Sequence, residues 1–321
     1  MPDLQRLFRR EQPVFTALLR EHVAAMPPLA RPVATHVLAA GGKRLRPLLT
    51  LLVGRSLGSR RQDLYLLGTA VEMLHAASLL HDDILDNALL RRGRPAAHTL
   101  FGVPPVILAG DAMLGKALLL VSSLQDPRLT ACVAEAVMHT AEGEIDEYAN
   151  LRNPDLSQDE YLRIITGKTA WVLRASCELG ALSAKGGEDS VAAAADFGLH
   201  LGIAFQMVDD ALDFSPASRT GKPCGGDLRE GKITPPLLLY LNSLPREEQA
   251  AFRTAFRDNA LGAEELDAVT AAVFSRGFAR RTRSLADSHL EKARAALALF
   301  PAGDGRLLLE KVVDFVRDRE L

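Results

Sequence analysis

The sequence predicts an all-α protein, and three observations carry that prediction. Leu and Ala dominate the apolar set while Ile is scarce and aromatics make up only 5%, a balance that favours close-packed helices over sheets built from β-branched and aromatic residues. Apolar residues recur at three- and four-residue steps over long stretches. No alternating strand run, Asn-Gly hairpin or G-x-G-x-x-G opening is found, so a Rossmann or barrel fold has no support.

The elements follow in order. Residues 64 to 86, LYLLGTAVEMLHAASLLHDDILD, keep the helical period for about six turns. Similar runs occur at 104–125, 128–149, 158–183, 188–214, 233–242, 264–275, 279–298 and 305–318. Punctuation falls between them, at Asp126-Pro127, Asn153-Pro154, Gly186-Gly187, Gly221 to Gly231 and Pro301 to Gly305. No charge step, Ser/Gly-rich linker or internal period divides the chain, which predicts one large helical domain over residues 1–321.

Composition narrows the function classes. With 48% apolar and 24% charged residues the chain is long enough for a sizeable core, and intrinsic disorder is excluded for the chain as a whole. The net charge of −2 lacks the basic excess that general nucleic-acid binding requires. Cys132, Cys177 and Cys224 are odd in number and stand in no metal-ligand spacing, which predicts reduced thiols in a cytoplasmic protein. The N-terminal stretch MPDLQRLFRREQPVF lacks a secretory h-region, and no uninterrupted apolar run reaches about 18 residues, so no transmembrane segment is expected.

Two clusters carry the chemistry. DDILD at 82–86 and DDALD at 209–213 repeat one spacing inside apolar helical runs. The first and last Asp of each share a face. An acidic triplet at helical spacing is usually a solvated face, but two like clusters among Leu, Ile, Val and Phe call for a compensating cation. Asp82, Asp83, Asp86, Asp209, Asp210 and Asp213 offer hard oxygen ligands suited to Mg²⁺, which keeps several waters and is typically shared with phosphates. A diphosphate is the natural ligand.

Cations stand where a diphosphate needs them. Lys43, Arg44 and Arg46 precede one helical run, and Arg91, Arg92 and Arg94 follow the first cluster, where guanidinium forks can grip phosphate bidentately. Lys168 and Thr169 lie within a helical run, and Lys222 and Lys232 flank TGKPCGGDLREGK, read as a loop delivering both lysines to phosphate. Gly226, Gly231 and Lys232 satisfy G-x-x-x-x-G-K, but Ile233 stands where Mg²⁺ binding needs Ser or Thr and no strand precedes it, so a P-loop is rejected. His75, two turns before Asp82, and Gln206, three residues before Asp209, point toward their clusters, whereas Glu72 and His81 read as structural.

In sequential order, GGKRLRP, EMLHAASLLHDDILDNALLRRGRP, LAGDAML, GKTA, GIAFQMVDDALD and GKPCGGDLREGKITP resemble the trans-prenyltransferases, the head-to-tail polyprenyl diphosphate synthases. The resemblance implies the isoprenoid synthase fold, a large helical bundle around a deep central cavity with the two aspartate motifs facing each other at its mouth. It implies Mg²⁺-dependent condensation of isopentenyl diphosphate with an allylic prenyl diphosphate, in a homodimer, with about three Mg²⁺ per active site held by the six aspartates. Arg91, Lys168, Thr169, Gln206, Lys222 and Lys232 then complete the allylic site, with Lys168, Thr169 and Gln206 nearest the chemistry. Lys43, Arg46, His75 and Arg92 bind isopentenyl diphosphate. Asn87, where members often carry an acid, and Glu147, where many carry Gln, depart from the pattern.

Ser78, one turn below Asp82, and Ala77 beside it are both small, and in farnesyl-forming members of the resembling family an aromatic residue at the position matching Ala77 closes the cavity. Ala112, Gly115 and Ala117 on the next helical run are expected to leave room as well. That implies a long-chain, octaprenyl-type product, with geranylgeranyl or farnesyl diphosphate as the alternative. A terpene cyclase fits less well because its second metal motif mixes Asn, Ser or Thr with Glu, and a non-catalytic partner subunit typically lacks one aspartate motif.

Overall fold

The computed structural model describes residues 2–42, 44–215 and 224–319. Its helices are α1 (Pro2–Ala24), α2 (Ala30–Ala39), α3 (Leu45–Ser56), α4 (Asp63–Leu85), α5 (Ala97–Phe101), α6 (Val103–Ser122), α7 (Pro127–Ala149) and α8 (Gln158–Ile165). After a π-helical turn at Thr166–Ala170 come α9 (Trp171–Ser183), α10 (Glu188–Asp213), α11 (Gly226–Glu230), α12 (Pro235–Leu241), α13 (Arg246–Arg257), α14 (Ala263–Ser275), α15 (Phe278–Leu297) and α16 (Asp304–Arg317). The described residues are thus all-α apart from one small hairpin.

Local chemistry sets the boundaries. Ser157 and Glu160 form a reciprocal capping box that starts α8. Pro104-Pro105 and Pro235-Pro236 occupy the first turns of α6 and α12, where a missing N–H costs nothing. The hairpin pairs Leu90–Arg91 with Arg94–Pro95, and its turn residues Arg92 and Gly93 have φ of 52° and 71°. Positive φ at both central residues is the type I′ geometry that matches strand twist. The expectation of no hairpin is corrected here, because Arg-Gly does the work usually signalled by Asn-Gly.

A second correction concerns 158–183, expected as one helix. The chain makes a π-turn at Thr166–Ala170, where Gly167 lies against Gly143 of α7. A Cβ on Gly143 would stand 2.2 Å from the Lys168 backbone nitrogen, so the two backbones touch only because both residues lack side chains.

The chain divides into two compact units. The first comprises Met1–Val137, Val172–Ala195 and Leu297–Lys311. Its core joins Leu67, Met73, Ala77 and Leu80 of α4 to Val106, Ala109, Met113 and Ala117 of α6, all essentially buried. The alanines let these helices approach closely, and each large side chain removed from water contributes about 1.5–3 kcal/mol. The second unit comprises Met138–Trp171, Asp196–Ala296 and Val312–Leu321, with Phe197, Leu201, Phe214, Leu237 and Phe256 fully buried.

Two helices, α6 and α10, are long and apolar enough to cross a membrane by length and composition, contrary to the sequence expectation. A window tolerates Asp111 and Lys116, which break the uninterrupted runs counted in the sequence. The apolar window of α10 is 61% buried and that of α6 only 39%. Leu108 and Leu119 of α6 are 56% and 67% exposed and lie three turns apart on one face.

Candidate active site

In the first unit, the DDILD aspartates occupy the last turn of α4 and its C-cap, where the Asp86 N–H donates to the Asp82 carbonyl at 2.8 Å. Carboxylates at a helix C-terminus oppose the macrodipole, so stability alone does not explain them. Asp82 and Asp86 are partly exposed, whereas Asp83 is 2% exposed and accepts from Arg91 Nε at 2.6 Å. Burial works against the Arg91 charge, yet Asp83 holds its pKa above the ordinary value.

Beside this cluster the cations divide into two kinds. Arg44 is structural: it pairs with buried Glu72 and donates to the Leu38 carbonyl at 2.7 Å. Arg46, at the start of α3, is partly buried with its Nε lacking a hydrogen-bond partner, and burial lowers its pKa to about 10. Arg92 donates to the Gly41 carbonyl. Gly42, at φ 139°, leaves the space for that contact, since a Cβ there would lie 2.7 Å from Arg92 Nη1. Burial, then Arg46, Arg92, Arg91 and Arg44, push His75 well below the usual imidazole range. A neutral imidazole among guanidiniums, one with an unpartnered nitrogen, is chemistry suited to a polyanion. Lys43 lies outside the described residues.

Ala77 is 3% exposed in the α4–α6 core, and the Ser78 hydroxyl donates to the His75 carbonyl at 2.9 Å. Ala117 and partly buried Ala112 join that core, but Gly115 lies on the exposed side of α6, where a Cβ would meet nothing within 4 Å. The expectation that Gly115 leaves room inside is corrected, because two residues past Met113 the helix has turned about 200°.

In the second unit, the DDALD aspartates end α10 in the same way. Here a chain of neutral donors surrounds the buried member. The Thr169 hydroxyl donates to Gln206 Oε1 at 2.8 Å, Gln206 Nε2 donates to Asp210 Oδ1 at 2.7 Å, and the Tyr161 hydroxyl donates to Asp210 Oδ2 at 2.6 Å. Asp210 is 4% exposed, and burial raises its pKa to about 7. Both its oxygens are engaged. Asp213 accepts from the backbone N–H groups of Gly226 and Asp227, each at 3.1 Å, and so caps α11. Asp209, 45% exposed, faces Arg319 at 2.9 Å, off the hydrogen-bond line, and that guanidinium also lies 4.4 Å from the centre of the Phe205 ring.

The lysines of this unit meet on α7. Lys168 pairs with Glu144 at 2.9 Å and with Glu147, while Lys232 lies 3.6 Å from Glu147 and 2.8 Å from Glu230. Lys222 lies outside the described residues. Sequence reasoning missed Tyr161, Asp227 and Arg319. Tyr161 stands seven residues before Lys168, the two-turn spacing that singled out His75, so the same rule finds it; partly buried Asp227 and distant Arg319 give no local signal.

The donor set fits a divalent ion. Among the described residues no three His, Cys, Asp or Glu side chains converge to hold a metal unaided. Hard carboxylate oxygens at partly exposed Asp82, Asp86 and Asp209 suit Mg²⁺, which completes its shell with water and phosphate.

The comparisons agree with this chemistry. Residues 27–273 match the family model described as polyprenyl synthetase. An octaprenyl diphosphate synthase of Haemophilus influenzae is 34% identical over 293 residues, covering 91% of this chain and 89% of its own. A short chain isoprenyl diphosphate synthase of Methanothermobacter thermautotrophicus is 32% identical over 328 residues, spanning all of both chains. The crystal structure of a Caulobacter crescentus polyprenyl synthase complexed with calcium and isoprenyl diphosphate superposes with a TM-score of 0.93 at 37% identity, covering 99% of this chain and 97% of that one. With an all-α architecture, two aspartate clusters at helix ends and cations beside each, the chain belongs to the polyprenyl synthetase family and is a prenyltransferase.

Proposed function

We propose that this protein condenses isopentenyl diphosphate head-to-tail with an allylic prenyl diphosphate, in a Mg²⁺-dependent reaction that gives a long-chain, all-trans polyprenyl diphosphate. The carrying observation is the grouping of partly buried Arg46 and His75 with exposed Arg92, separate in the chain from the lysine cluster of α7. Two separate sets of basic side chains suit two diphosphates. Arg46, His75 and Arg92, with Lys43, bind isopentenyl diphosphate in this reading; Arg91, Lys168 and Lys232, with Lys222, bind the allylic one.

Mg²⁺, about three ions, would be held by the aspartate clusters and would draw charge from the departing diphosphate. Asp82, Asp86 and Asp209 are the foremost ligands, with Asp213 nearby. Both oxygens of Asp210 accept hydrogen bonds, which assigns it to orienting those ligands, while Asp83 gives Oδ1 to Arg91 and adds to the ligand set through its other oxygen. Cationic side chains stabilise the leaving group as the allylic C–O bond breaks. The isopentenyl double bond then forms the new C–C bond at the allylic cation, and one proton is lost, with the released pyrophosphate as its acceptor. Thr169 and Gln206 hold Asp210 in place beside these groups, and apolar walls keep water from the cation.

A long product is supported by Ala77 and Ser78 and by the octaprenyl relative. A shorter product is favoured by the full-length match to a short-chain synthase, so chain length decides between two readings. Purified protein with Mg²⁺, labelled isopentenyl diphosphate and a series of allylic primers should yield products beyond fifteen carbons. Ala77→Phe should shorten them while primer binding persists. A wild-type product that stops at fifteen carbons overturns the long-chain reading.

The exposed apolar face of α6 supports a homodimer, because a patch including Leu108 and Leu119 is costly to leave in water. A dimeric mass at micromolar concentration is the expected result. One catalytic domain in the cytoplasm completes the proposal, the family match running through segments of both units.

A further inference from the structure

Glu147 departs from the residue expected in this family, and it stands between two lysines. Both lysines are brought to α7 by the backbone. The contact of Gly143 with Gly167 seats the Lys168 backbone on α7, and the Arg152 N–H donates to the Gly231 carbonyl at 2.7 Å, anchoring the residue before Lys232 just past the end of α7. Lys168, Lys232 and Glu147 are 21%, 13% and 20% exposed, so their charges are only partly screened by water. Glu144, one turn earlier on the same face, adds a second acid to Lys168 at 2.9 Å, and Glu230 adds one to Lys232.

We propose that Glu147 is a positioning residue that competes with diphosphate for Lys168 and Lys232. In the ligand-free protein it holds the two ammonium groups together; an arriving diphosphate must take them from it. The carboxylate thereby weakens diphosphate binding and favours departure of the pyrophosphate product. This inference rests on the reading that Lys168 and Lys232 bind diphosphate.

The structure gives the sign of the test. Glu147→Gln keeps shape and hydrogen-bonding capacity but removes the competing charge, so inorganic pyrophosphate should bind about 5- to 10-fold more tightly by calorimetry, both in EDTA and with Mg²⁺. KM for the allylic diphosphate should fall together with kcat as pyrophosphate release slows, a split that simple loss of structure does not produce. Glu147→Asp, which retains the charge, should stay near wild type, and Glu147→Ala should tighten binding as Gln does. Lys168→Ala and Lys232→Ala test the underlying reading and should each weaken pyrophosphate binding about 10-fold. If both lysine variants bind like wild type, the assignment of the lysines fails and the inference with it. If they weaken binding while Glu147→Gln and Glu147→Ala leave affinity unchanged or lower it, the assignment stands and the competing role of Glu147 is overturned.

Discussion

The two aspartate clusters share a spacing, a place at the end of a long helix and a buried second member, yet they neutralise that member by opposite means. Asp83, 2% exposed, receives a guanidinium from Arg91 on the hairpin. Asp210, 4% exposed, receives only the neutral donors of Tyr161 and Gln206. Asp83 meets a full positive charge, whereas the neutral donors around Asp210 leave burial dominant and its pKa raised to about 7. One five-residue pattern thus yields two electrostatic environments, set by whatever the fold brings to the second position.

Removing the partly exposed members of the two clusters has the largest expected effect. Asp82→Ala and Asp209→Ala should each reduce kcat/KM by about 10³-fold or more while far-UV circular dichroism stays unchanged, because these positions serve the ligand and their removal relieves repulsion. If only one variant loses activity, the clusters are not equivalent in function.

A smaller effect separates the buried members. Arg91→Ala leaves buried Asp83 without its ion-pair partner and should cost about 2–4 kcal/mol in urea unfolding, lowered from the fully buried case because Arg91 is 32% exposed. Tyr161→Phe removes one neutral hydrogen bond and should cost about 1–2 kcal/mol. Equal losses would mean that the Arg91 charge adds nothing.

The smallest effect lies in the pH dependence of the metal-free protein. Folding raises the Asp210 pKa from 3.8 to about 7, so the folded chain binds this proton more tightly than the unfolded one. Its contribution to stability is therefore full below about pH 3.8 and is lost as pH rises through 7. Asp210→Asn should be more stable than wild type by about 1 kcal/mol at pH 8, the amide mismatch with Tyr161 or Gln206 offsetting part of the gain, and the advantage should vanish near pH 4. A variant less stable than wild type at pH 8 would show that the hydrogen bonds outweigh the buried charge.

Much of this site was legible in the residues. The helical period located α4, α6, α7, α10 and α16 to within a few residues because side-chain spacing on one helix is a local property. The same spacing singled out His75 and Gln206, and Gln206 donates to Asp210 in the structure. Tyr161 was legible by that rule and passed over. Glu147 was noticed only as a departure, since its two lysines come from segments 21 and 85 residues further along the chain.

The residues alone carried the all-α class, the positions of α4, α6, α7, α10 and α16, the two acidic clusters and the cations that accompany them, all of which follow from periodicity, propensity and local charge. Only the tertiary structure decided which aspartate of each cluster turns inward and which partner meets it, which arginine is structural and which keeps an unpartnered nitrogen, and where the Gly143–Gly167 contact bends a predicted helix into a π-turn. Those outcomes depend on burial and on groups distant in the chain, and burial changes the energy of a charge far more than any neighbour in sequence can.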